Sequence, residues 1–137
     1  MEKYVMKVEI PEVDEYLALR KKGGLSKRGK EASAIGLKNS IYSLTIRKEQ
    51  SGELIGMGRM VGDGGTAYQF VDIVVDPNAQ GNGLGKQIVE HLTSYAKESI
   101  DPFAYISLIA TCPANKLYEK YGFIETSPKS LGMYLKR

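Results

Sequence analysis

The chain has a single cysteine, Cys112, so no internal disulfide can staple it, which agrees with a reducing compartment. No apolar run approaches the roughly 20 residues that a membrane-spanning helix needs, so no membrane partner is expected. Met1 to Ile10 alternates charged and apolar side chains without the continuous apolar stretch of a secretory leader, and the expectation is a cytoplasmic protein. Repeats, low-complexity tracts and long linkers are missing, which excludes solenoid and disordered classes. A strong charge imbalance is missing too: 19 Lys and Arg against 16 Asp and Glu give a formal net charge of +3. The basic residues are dispersed except between Arg20 and Lys30, a balance that favours small anionic ligands over nucleic acid.

What is present fits one globular domain over residues 1–137, with 42% hydrophobic and 26% charged residues. Lys3 to Ile10 alternates like a strand. Pro11 opens a helix with Val13, Tyr16, Leu17 and Arg20 at helical spacing, stopped by Gly23 and Gly24. Leu25 to Ser40 reads as a polar, basic loop and a short second helix. Tyr42, Leu44 and Ile46 alternate with polar residues, and after a turn at Gln50 to Gly52 the run Leu54 to Val61 completes a hairpin. Tyr68 to Val75 is a further strand, apolar enough at Ile73-Val74-Val75 for burial on both faces. Leu84, Ile88, Leu92, Tyr95 and Ser99 share one side of a long helix that ends near Pro102. Tyr105 to Ala110 reads as a strand, Pro113 precedes a short helix through Tyr121, and Phe123 to Glu125 and Met133 to Lys136 are expected as closing strands. The fold class is therefore α/β in the α+β sense: a central mixed, mostly antiparallel sheet with flanking helices, and a right-handed parallel crossover between Phe70 and Ala110.

The most informative segment runs from Asp76 through Pro77, Asn78, Ala79, Gln80, Gly81, Asn82, Gly83, Leu84 and Gly85 to Lys86, because it joins a buried strand directly to an amphipathic helix. Three alternate glycines let backbone N–H groups point inward, and the helix N-terminus adds partial positive charge, which together make an anion cradle. A Walker loop needs four residues between its glycines and Ser or Thr after the lysine, whereas three separate Gly81 from Gly85 and Gln87 follows Lys86. A dinucleotide fingerprint wants its third glycine where Lys86 stands, at a first strand.

The stretch Gln80-Gly81-Asn82-Gly83-Leu84-Gly85 resembles the Gln/Arg-x-x-Gly-x-Gly/Ala signature of the GNAT superfamily of acyl-CoA-dependent N-acyltransferases. Ile73-Val74-Val75-Asp76-Pro77 resembles that family's fourth strand, and Ala114-x-x-Leu117-Tyr118-Glu119-Lys120-Tyr121-Gly122-Phe123 its fourth-helix motif. The match covers roughly residues 68 to 125. The resemblance implies transfer of an acetyl group from acetyl-CoA to a primary amine of a small molecule, without a metal. Gln80, Gly81, Asn82, Gly83, Leu84, Gly85 and Lys86 would hold the coenzyme pyrophosphate, and the backbone of Ile73, Val74 and Val75 would pair with the pantetheine arm. The family often has asparagine where Thr111 stands, so Thr111 is a candidate coenzyme contact, with Asn115 either compensating or simply opening its helix. Protein lysines or N-termini as acceptors, and a non-catalytic acyl-CoA-binding role, stay open as alternatives, as does a homodimer.

Acyl transfer needs a neutral amine, donors for an oxyanion and an acid for the departing thiolate. The family motif assigns the acid to Tyr118, whose phenol has an ordinary pKa of about 10. Asp72 is the best acidic candidate for the base, directly or through water, alongside the reading of an ordinary sheet-edge carboxylate or one that only orients the amine. His91 is expected at the surface edge of its helix. Cys112 could carry an acyl group, but a small buried thiol is the commoner case, and direct transfer through a ternary complex is preferred.

Overall fold

The computed structural model describes all 137 residues. In chain order the elements are β1 (Tyr4–Val8), α1 (Val13–Lys22), α2 (Lys30–Lys38), β2 (Tyr42–Lys48), β3 (Leu54–Gly62), β4 (Ala67–Val75), one 3-10 turn (Pro77–Ala79), α3 (Leu84–Ser99), β5 (Tyr105–Ser107) and α4 (Asn115–Glu119). The five strands lie in sequence order. β1 to β4 pair antiparallel, and β5 runs parallel to β4. A parallel neighbour cannot be reached by a tight turn, so the chain needs a crossover, and α3 supplies it. The expected mixed, mostly antiparallel sheet is the one observed. No helix is long and apolar enough to cross a membrane.

The two faces of the sheet bury separate cores. On one side Leu84, Ile88, Leu92 and Ala96 of α3 pack on Leu44, Ile46, Ile55, Met60, Tyr68 and Phe70. On the other, Tyr16 and Leu19 of α1 and Leu37 of α2 pack on Leu54, Met57 and Val74. Strand residues an even number apart should share a face, yet Phe70 and Val74 of β4 sit in different cores. The cause is a bulge. Met57 pairs with Val74 and Arg59 with Val71, which leaves Asp72 and Ile73 together opposite Gly58, and one extra residue inverts the alternation. Ile73 and Val75 accordingly pack toward α3.

Across from the bulge, α3 rests on bare backbone. A Cβ on Gly58 would lie 2.5 Å from Ile88 Cγ2 and 3.2 Å from Leu92 Cδ1. Gly58→Ala is therefore expected to push α3 off the sheet and to cost about 1–3 kcal/mol, the usual range for overpacking. The denaturant midpoint should fall accordingly, and an unchanged midpoint would show that α3 is not seated there.

Three expectations fail toward the C-terminus. β5 stops at Ser107 rather than Ala110, because its ladder with β4 ends at the pair Gln69 and Ser107. α4 closes at Glu119 rather than Tyr121. Phe123 to Glu125 and Met133 to Lys136 form no strands. Alternation tells a strand which face to bury, but a strand also needs a partner ladder for its backbone, and Met133, Tyr134 and Leu135 are all at least 81% exposed.

Candidate active site

β4 runs into a loop that is pinned from within. The Asp76 N–H donates to Ile55 O at 2.7 Å, and its carboxylate accepts from the Asn78 N–H at 2.9 Å. Ala79 is buried in the α3-side core. Asn82 Nδ2 donates to Ala79 O at 2.9 Å, and Gln80 Nε2 to Val75 O at 3.4 Å. Gly81 and Gly83 take φ of +87° and +74°, a region that glycine enters without a Cβ penalty.

Gly83 immediately precedes α3, and no side chain caps that helix. The first intrahelical bond from this end is Gln87 N–H to Gly83 O, so the N–H groups of Leu84, Gly85 and Lys86 have no helical acceptor. A Cβ built on Gly81, Gly83 or Gly85 would meet nothing within 4 Å. Gly85 lies inside the helix with no left-handed φ; its bareness keeps the approach to the first turn open, whereas Gly81 and Gly83 shape the turn. Pinned loop, free donors, helix dipole and the exposed Lys86 make a fitting cradle for a diphosphate.

Beside the cradle, β4 has an unpaired edge. Only Ala67 to Gln69 pair with β5, so Phe70 to Val75 have no strand partner on that side. The bulge lies within this open stretch, and Asp72 there has φ of +56°, the only left-handed residue besides glycines. Its side chain is 5% exposed, and both of its oxygens accept hydrogen bonds. Oδ2 accepts from Tyr16 Oη at 2.9 Å and from Arg59 Nε at 2.6 Å, and Oδ1 accepts from Arg20 Nη1. Burial, followed by the charge of Asp72, pushes the Tyr16 phenol above its ordinary pKa. The expectation of Asp72 as a base accessible to an amine thus meets a carboxylate whose oxygens are already taken. Arg20, Arg59 and Tyr16 were missed as site residues. Their signal was Arg20 inside an apolar helical stripe and Arg59 inside the apolar run Leu54 to Val61, two charges where burial demands a partner.

Tyr118 stands on α4, half-buried. Its ring packs edge-on against Phe123 at 6.2 Å, and Phe123 packs against Phe70 of β4 at 5.2 Å. The aromatic chain ties α4 to the strand that carries the bulge. Burial raises the Tyr118 pKa above its ordinary value. A cleft of about 770 Å³ gathers Tyr118, Asn115 and Cys112 with Ile106, Leu108 and Phe123. The glycine loop and Ile73 to Val75 do not line this cleft, so the structure places the sequence-derived residues in two groups. Thr111 is exposed, and its carbonyl accepts from the Ala114 N–H at 2.8 Å as the chain turns into α4. Cys112, expected buried, is exposed because it lies in that same turn, beyond the core. His91 is exposed, at the edge of the stripe as expected.

Comparison with known proteins follows the same lines. A family model described as "Acetyltransferase (GNAT) domain" matches residues 41–125. A Staphylococcus aureus protein of unknown function, described as "Probable Acetyltransferase", is 43% identical, with a TM-score of 0.90 over 98% of this chain and all of that one. "Uncharacterized N-acetyltransferase ycf52" of Pyropia yezoensis is 33% identical over 81% of this chain. The chain spans 64% of that relative's length. A Clostridium acetobutylicum predicted acetyltransferase solved with acetyl-CoA shares the fold, with a TM-score of 0.68 over 98% of this chain and 96% of that one at 18% identity.

Proposed function

The chain belongs to the GNAT superfamily of N-acetyltransferases, and from that membership we propose that it transfers an acetyl group from acetyl-CoA to a primary amine of a small molecule. The observation that carries this reading is the uncapped N-terminus of α3 behind Gly81 and Gly83, opening beside the unpaired edge of β4. Bound acetyl-CoA would supply an acyl group activated as a thioester. Leu84, Gly85 and Lys86 would direct their N–H groups to its diphosphate. The free edge of Ile73, Val74 and Val75 offers amide donors and acceptors to the pantetheine arm. Tyr118, with its pKa raised by burial, keeps its Oη proton at neutral pH and can donate it to a leaving thiolate.

The reading is direct transfer, which needs no protein nucleophile; the one protein thiol, Cys112, is free and exposed in the turn before α4. An acetyl-CoA-dependent thiol-release screen over polyamines, amino sugars, arylalkylamines, amino acids and peptides should find turnover with at least one small amine. Initial-rate lines at several acceptor concentrations should intersect, and Cys112→Ala should keep most of the activity. Turnover confined to peptides would move the acceptor class to protein. Parallel lines with an acyl adduct on Cys112 by mass spectrometry would replace direct transfer by a two-step route.

A further inference from the structure

Three side chains from two elements converge on Asp72: Tyr16 and Arg20 come from α1 and Arg59 from β3. Arg20 reaches on to Ser26 O in the loop between α1 and α2, with Nη2 to oxygen at 2.8 Å. Arg59 Nη1 reaches Gly36 O at 3.3 Å and Ser40 Oγ at 3.2 Å, at the far end of α2. The Asp72 backbone is meanwhile in a conformation that an L side chain resists, since its Cβ crowds the following carbonyl. Such a residue persists only when its surroundings over-determine it, and here they do.

We infer that Asp72 is a positioning residue: clasped by Arg59 and Arg20, it locks the bulge within the unpaired edge, immediately before Val74 and Val75, and it does not take the acceptor's proton. The role rests on acyl transfer at that edge, as proposed above. A base needs a lone pair within reach of the substrate, and both oxygens of this carboxylate are already held by α1 and β3. The clasp also joins the loop between α1 and α2 to β4, so movement at either end strains the other.

The two guanidinium groups share one carboxylate, which decides the variants. Removing Asp72 would leave two buried cations facing each other. Removing Arg59 leaves Asp72 with Arg20 and Tyr16, a balanced set that should still fold. Arg59→Met is expected to lower kcat about 30-fold while the KM for acetyl-CoA moves less than about threefold, the pattern of lost orientation rather than lost binding. Amide exchange at Ile73 and Val74 should accelerate in the same variant. Asp72→Asn alone would leave two guanidinium groups without a counter-charge, so it is placed in the Arg59→Met background, where Asn tolerates the left-handed region and can still accept from Arg20. The double variant should keep at least about a tenth of the kcat of Arg59→Met and the acidic limb of the pH profile. Loss of all turnover in the double variant, together with loss of that limb, would make Asp72 the base. Unchanged kcat and unchanged exchange in Arg59→Met would dismiss the clasp. If the native protein transfers acetyl to no amine, the functional reading fails by itself, and the exchange measurement still decides whether Arg59 holds the bulge.

Discussion

Tyr118→Phe should lower kcat by about 10²-fold or more, the usual scale for losing a general acid, with acetyl-CoA affinity little changed. The substitution deletes one hydroxyl and keeps the ring that packs against Phe123, so the aromatic chain to Phe70 survives. No hydrogen bond ties that hydroxyl into the fold at the expense of its proton: burial, not a charged partner, is what raises its pKa. The sign matters for pH. A phenol with a raised pKa stays protonated further into alkali, so the alkaline limb of kcat should lie above the ordinary value of about 10 and should vanish in Tyr118→Phe. A near-normal kcat with chemistry demonstrably rate-limiting would reduce Tyr118 to a packing residue.

Gly83→Asp should weaken acetyl-CoA binding by about 10²-fold, or about 2.7 kcal/mol, by isothermal calorimetry. Two effects add. The new carboxylate brings negative charge to the place proposed for the coenzyme diphosphate, and as a helix-capping side chain it takes the N–H groups of Gly85 or Lys86 that the ligand would use. It also imposes a side chain at φ +74°. Gly83→Ala, which carries the backbone strain without the charge, separates the two and should bind better than Gly83→Asp. The folded state is expected to survive, since an added cap offsets part of the strain and the Cβ meets open space. Undiminished binding in Gly83→Asp would remove the glycine loop from the coenzyme site.

The parts of the fold legible in the sequence are those where one local rule decides the outcome. The apolar stripe of α3 follows from Leu84, Ile88 and Leu92, and the turn at Gly81 and Gly83 from residues that accept positive φ. The bulge was not legible, because Asp72 between Val71 and Ile73 looks like any polar residue facing outward. Only pairing with β3, a contact between segments remote in the chain, reveals that two residues oppose one. The Asp72 clasp is equally non-local, since Tyr16 and Arg20 precede the carboxylate by more than fifty residues. At the C-terminus the failure ran the other way. Met133, Tyr134 and Leu135 have strand-forming side chains, but no neighbouring edge accepts them.

The bulge also splits β4 into two half-strands of opposite phase. Before it, the even-numbered Tyr68 and Phe70 look toward α3; after it, the odd-numbered Ile73 and Val75 do, while Val74 looks toward α1. Tolerance to polar substitution should reverse its parity across residue 72. Deleting Asp72 would set Ile73 opposite Gly58 and restore a regular ladder in which Ile73 to Val75 keep their faces, so both cores would keep their tenants while the bulge and its clasp disappeared.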